Sequence, residues 1–143
     1  MIGRSNSVRN DEHVIEVGKI IGDYVYLKST PEVVARALMV LHEAFSKGGE
    51  DLEDALRILE NFDAFYEIAR KKFKDYIATR KNTADLIKGR VLVDKVKLTK
   101  EGSQKHAVVI LDRSIKLDDV LKTLTKAGFR VLAASSGEGG SGK

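Results

Sequence analysis

Between Pro31 and Thr79 the apolar side chains recur every three or four residues, and beyond Arg80 that period is lost. The switch constrains the fold more than any motif in the chain. A repeat of 3.6 puts apolar groups on one helix face, whereas a strand needs alternation or a short continuous buried run. Ser29-Thr30-Pro31-Glu32 predicts a helix start, because a Ser or Thr can accept an orphan amide and proline suits the first helical position. From Pro31 to about Ser46, Val33, Val34, Ala37, Leu38, Leu41 and Phe45 form a wide stripe, and Gly48-Gly49 offers a left-handed exit. Leu52, Leu56, Leu59, Phe62 or Phe65, Ala69, Phe73 and Ile77 carry the spacing from Glu50 to about Thr79, with a kink expected near Asn61. Upstream, Val14, Val17, Ile21, Tyr24 and Val25 fit one face as well, so a first helix is predicted from a cap at Asn10 or Asp11 to about Lys28.

Downstream, Arg90 to Thr99 reads as a strand with Leu92, Val96 and Leu98 on one face. Lys100-Glu101-Gly102-Ser103 is a turn, and Ala107 to Leu111 is an apolar run expected of a strand covered on both faces. Leu117, Val120, Leu121 and Leu124 mark a short helix stopped by Gly128, and Phe129 to Ala134 is a last strand. The expected class is therefore α+β: an N-terminal helical domain of about three helices followed by a small β-β-α-β domain. The boundaries read as a basic arm at 1–10, the helical domain at 11–82, the β-rich domain at 83–134 and a Gly/Ser tail at 135–143.

Chemistry is sparse. The 143 residues contain no cysteine, which excludes disulfides, thiolate metal sites and a cysteine nucleophile, and which suits a reducing cytoplasm. His13, His42 and His106 lie far apart, so no metal site is expected. Asp118-Asp119, and Asp51 with Asp54, resemble acid–base pairs but fall in first helical turns, where carboxylates complement the helix dipole. Gly137-Glu138-Gly139-Gly140-Ser141-Gly142-Lys143 spells a phosphate-loop pattern, yet no Ser or Thr for magnesium and no helix follow the lysine. The reading is a non-catalytic chain with no cofactor and no small-molecule substrate. The N-terminal residues lack the apolar run of a secretory signal and no stretch approaches a membrane span, so a cytoplasmic location is expected. Charged residues make up 32% of the chain, rich in Lys and Glu and poor in Gln and Met, as in thermophile proteins.

The charge is segregated. From Glu43 to Ala69 eight acids face only Lys47 and Arg57, a net of −6, whereas from Arg70 to His106 twelve Lys or Arg face four acids, a net of +8. The densest cations are Arg70, Lys71, Lys72 and Lys74, followed by Arg80 and Lys81. A solvated helix face is the plainer reading. The sharper one is a surface that binds nucleic-acid phosphates without reading sequence, extended by Arg4, Arg9, Lys88, Arg90, Lys95 and Lys97. Phe73 and Tyr76 sit among these cations, where aromatics can stack on exposed bases, although Phe73 also continues the apolar stripe. A different class of function is a protein-interaction or regulatory module, in which the acidic segment of one copy meets the basic segment of another.

A Tyr-containing first helix (Tyr24-Val25-Tyr26) running into Ser29-Thr30-Pro31, then a helical region, then a small β-rich domain containing Ala107-Val108-Val109-Ile110, together resemble the small subunit of archaeal type I-A CRISPR effector (Cascade) complexes. The resemblance implies a non-catalytic protein of an RNA-guided antiviral ribonucleoprotein. Such a protein has a helical domain and a β-domain, and lines up with further copies and other subunits along guide RNA and target DNA. No site residue is carried over by motif, and the basic positions above rest on charge alone.

Overall fold

The segment expected to be the first helix is a β-hairpin. A computed structural model describes residues 13–134 of the chain, in which β1 (Val14–Ile20) pairs antiparallel with β2 (Tyr24–Ser29). Of the expected helical stripe only Val17 and Val25 are buried, and a period of two prevails instead: Ile15, Val17, Val25 and Leu27 face the core, while Glu16 and Lys28 are cross-strand neighbours on the opposite face. β-Branched residues favour the strand, and the turn decides the matter. Gly22 and Asp23 both take positive φ, 89° and 65°, and the Asp23 amide donates to the Ile20 carbonyl at 3.1 Å. Gly adopts that geometry freely and Asp tolerates it, so the chain reverses where a helix would have continued.

The next helix begins as its start signal dictates. In α1 (Pro31–Phe45) the Thr30 hydroxyl accepts the Val33 amide at 3.4 Å and Pro31 opens the first turn. Its left-handed stop is Ser46, φ 54°, ahead of Gly48. The long third helix expected from Glu50 to Thr79 is two shorter ones, α2 (Glu50–Glu60) and α3 (Phe62–Lys71), broken at Asn61. Helical structure ends well before Thr79, because Phe73 turns left-handed and Ile77–Ala78 forms β3 against β4. A short α4 (Thr83–Lys88) follows, capped by the Asn82 side chain and closed by Gly89.

The remaining elements lie close to their expected places. β4 (Val93–Glu101) and β5 (Gln104–Leu111) form an antiparallel hairpin turned at Gly102, and α5 (Leu117–Lys126) leads through Gly128 to β6 (Arg130–Ala133). Among the described residues all six strands share one sheet, in the order β3-β4-β5-β2-β1-β6, and only β1 and β6 run parallel. The expected order of a helical domain before a β-β-α-β domain is thus overturned. The central pairing is β2 with β5, joining a strand from each of the two expected halves.

Helices pack on one face of this sheet. Val17, Leu27, Val109 and Val96 stand in register across four strands and enter a single core with Val33, Leu38, Leu41, Leu52, Ile58, Val120 and Leu124. Each fully buried Leu or Ile contributes about 1.5–3 kcal/mol from lost water contact. The opposite face carries the row Glu16, Lys28, Val108 and Lys97, beside the row Gly18, Tyr26, Ile110 and Lys95. The apolar run of β5 therefore serves two faces, with Val109 in the main core and Ile110 buried outside it. Tyr26 lies across Gly18, where an added Cβ would stand 3.0 Å from the ring, and donates its hydroxyl to Glu16 at 2.5 Å. Burial and the neighbouring Glu16 carboxylate push its phenol well above the ordinary range.

Candidate nucleic-acid interface

Four of the eight acids in the negative segment are engaged within the chain, two of them buried and two at its surface. Asp51 is fully buried in the first turn of α2 and accepts the amides of Gly49 at 2.9 Å and of Leu92 and Val93 at 2.8 Å. It thereby fastens the helix start to the entry of β4. Asp54 accepts the Arg80 amide at 3.0 Å and pairs with the guanidinium groups of Arg57 and Arg80. Neither carboxylate is free for acid–base work. Asp63 bridges Lys100 at 3.7 Å and Lys105 at 3.1 Å, and the Lys105 hydrogen bond holds its carboxyl below the usual range. Glu67 pairs with Arg70 at 3.5 Å, which leaves Glu43, Glu50, Glu53 and Glu60 exposed.

The Asp63 bridges are part of a larger clasp that fixes α3. Phe62 and Tyr66 stack with centroids 5.8 Å apart, and Lys105 and Lys100 lie over their rings at 5.3 and 4.7 Å. These contacts hold α3 across the far end of the β4–β5 hairpin. The helix then runs out into solvent at its basic end.

The six predicted site cations separate into two groups there. Lys71, Lys72 and Lys74 are exposed and, among the described residues, their side chains have no hydrogen-bond or ion-pair partner. Arg70 is exposed beside them, held loosely to Glu67 one turn back. Arg80 and Lys81 belong to the scaffold instead. Arg80 is anchored on Asp54, while the Lys81 ammonium, only 19% exposed, donates to the Asp94 carbonyl at 2.8 Å and the Thr79 carbonyl at 3.0 Å and pairs with the Asp94 carboxylate at 3.6 Å. Thr79 is buried and donates to Val93 at 3.0 Å, so Lys81 completes a knot of backbone groups beside β4. The proposed extension divides as well: Arg90 pairs with Asp85 at 3.8 Å, Lys88 is exposed, and Lys95 and Lys97 lie over the Tyr76 ring at 5.0 and 5.6 Å. Arg4, Arg9, the Asn10 or Asp11 cap and the Gly137–Lys143 pattern lie outside the described residues.

Periodicity misplaces Phe73, as it does Ile21. Phe73 is 96% exposed, not a member of the core. The signal was present in its neighbours, since Arg70, Lys71, Lys72, Lys74 and Asp75 leave no apolar face for a helix to bury. Among the described residues no group of three or more His, Asp or Glu is placed to hold a metal ion, and no helix is long and apolar enough to cross a membrane. The chain matches no family model, no curated protein and no solved structure.

Proposed function

We propose that this chain binds nucleic acid through the phosphate backbone, without reading sequence, on a surface made of Lys71, Lys72 and Lys74 with Arg70 at its margin. One observation carries the reading: among the described residues these three ammonium groups have no partner, whereas Arg70, Arg80 and Lys81 are each paired with an acid. A lysine cluster of this kind gains affinity by releasing the counterions condensed on a phosphate chain. Docking of the acidic segment of one copy onto the basic segment of another is less favoured, because Asp51, Asp54, Asp63 and Glu67 are already engaged. Membership of an RNA-guided effector complex leaned on a helical Tyr24-Val25-Tyr26, which is strand β2, so the reading rests on the basic surface alone.

Salt titration tests it. With three to four phosphates neutralised, the log–log dependence of affinity on salt should have a slope of about −2 to −4. Replacing Lys71, Lys72 and Lys74 together by Glu should weaken binding and flatten that slope. Unchanged affinity and slope would reject the surface and leave the protein-interaction reading in its place.

A further inference from the structure

Resting on that reading, we infer that the nucleic acid bound is single-stranded and that Phe73 is the platform on which one unpaired base stacks. Phe73 is the first residue past the cap of α3, where the chain closes with paired hydrogen bonds. The Phe73 amide donates to the Arg70 carbonyl at 3.2 Å and the Lys74 amide to the Ala69 carbonyl at 2.9 Å. That closure requires a left-handed residue, and Phe73 has φ 53°. Glycine fills the equivalent role where α4 and α5 end, at Gly89 with φ 68° and Gly128 with φ 99°. A bulky side chain is disfavoured in this region, and here no packing offsets the cost, since the ring is 96% exposed.

The position therefore spends stability to hold a flat apolar ring out in solvent, in a stretch whose sequence neighbours Lys72 and Lys74 are also exposed. Exposed lysines on either side of Phe73 in the chain suit a ligand with anionic charge next to a π-face, which is the pattern of a nucleotide whose base is free. A duplex hides its base faces and would leave the ring unused. Tyr76 is less available for this purpose, as its ring already lies against Lys95 and Lys97.

The test compares the full chain with Phe73→Gly and with the triple Lys71→Glu, Lys72→Glu, Lys74→Glu variant. Each is titrated with a dye-labelled oligothymidylate, a duplex of equal length and anionic phosphatidylserine vesicles. The expected result is that the parent prefers the single strand, and that Phe73→Gly binds it about 5- to 100-fold more weakly while its duplex affinity and melting temperature do not fall. Stacking is overturned if Phe73→Gly leaves single-strand affinity unchanged, lowers single-strand and duplex affinity alike, or loses only vesicle binding, which would make the ring a membrane anchor. If the triple variant weakens both oligonucleotides while Phe73→Gly weakens neither, the basic surface stands and the platform alone is lost. If the triple variant weakens neither, the basic surface itself is wrong.

Discussion

The start of α2 and the end of α3 treat charge in opposite ways. At Asp51 a carboxylate is fully buried and gives its oxygens to three backbone amides from two distant parts of the chain. At Lys71, Lys72 and Lys74 three cations extend into solvent beside an exposed ring. Sequence composition presents these two places as equivalent, one acidic run and one basic run. The fold separates them by cost: a buried charge is tolerated only when every oxygen is satisfied, whereas an exposed charge costs little and remains free for a ligand.

The sharpest way to break this contrast is to remove the buried carboxylate. Asp51→Ala leaves the amides of Leu92 and Val93 without their acceptor in a site closed to water, and should lower stability by about 3 kcal/mol or more. Urea denaturation measures this directly. A loss below about 1 kcal/mol would mean that water or another group takes over the two amides, and the carboxylate would no longer count as structural.

A smaller effect is expected at Tyr26, a polar group half-way between the two extremes. Its folded-state ionisation is raised, so its contribution is complete below the ordinary tyrosine range near pH 10 and is lost as pH climbs beyond it. Ultraviolet titration of the four tyrosines should show one component that resists ionisation until the protein unfolds. Tyr26→Phe should remove that component and cost about 1 kcal/mol at neutral pH. Should the late component persist in the variant, another tyrosine is the protected one.

The smallest effect on stability should come from the triple glutamate variant of Lys71, Lys72 and Lys74, within about 0.5 kcal/mol of the parent. A clear drop in melting temperature would show that these cations hold the fold, and the contrast with Asp51 would disappear.

Legibility followed how far apart in the chain the deciding contacts lie. α1 was readable because Thr30 and Pro31 act within one turn, and the β4–β5 hairpin because its turn and its apolar run are local. The β1–β2 segment is misread because Val14, Val17, Ile21, Tyr24 and Val25 fit helical spacing while the alternating set Ile15, Val17, Val25 and Leu27 forms the buried face, and the choice belongs to Gly22-Asp23 and to pairing with β5 far downstream. In the site, charge density points to Lys71, Lys72 and Lys74, whose side chains are exposed. It could not separate them from Arg80 and Lys81, whose partners Asp54 and Asp94 are distant or across a turn. Phe73 was misplaced for a related reason: spacing counts apolar residues, while exposure depends on where the helix stops.

The sheet order has a kinetic consequence. β2 lies between β1 and β5, so the first hairpin has an unsatisfied inner edge until β5 exists. During synthesis that edge must wait while four helices, β3 and β4 are made, and closing so long a loop is slow compared with forming a hairpin or helix. The chain should therefore commit to its native pairing late, with folding limited by the meeting of its two hairpins, and fragments ending before Leu111 should expose β2 to association with other chains.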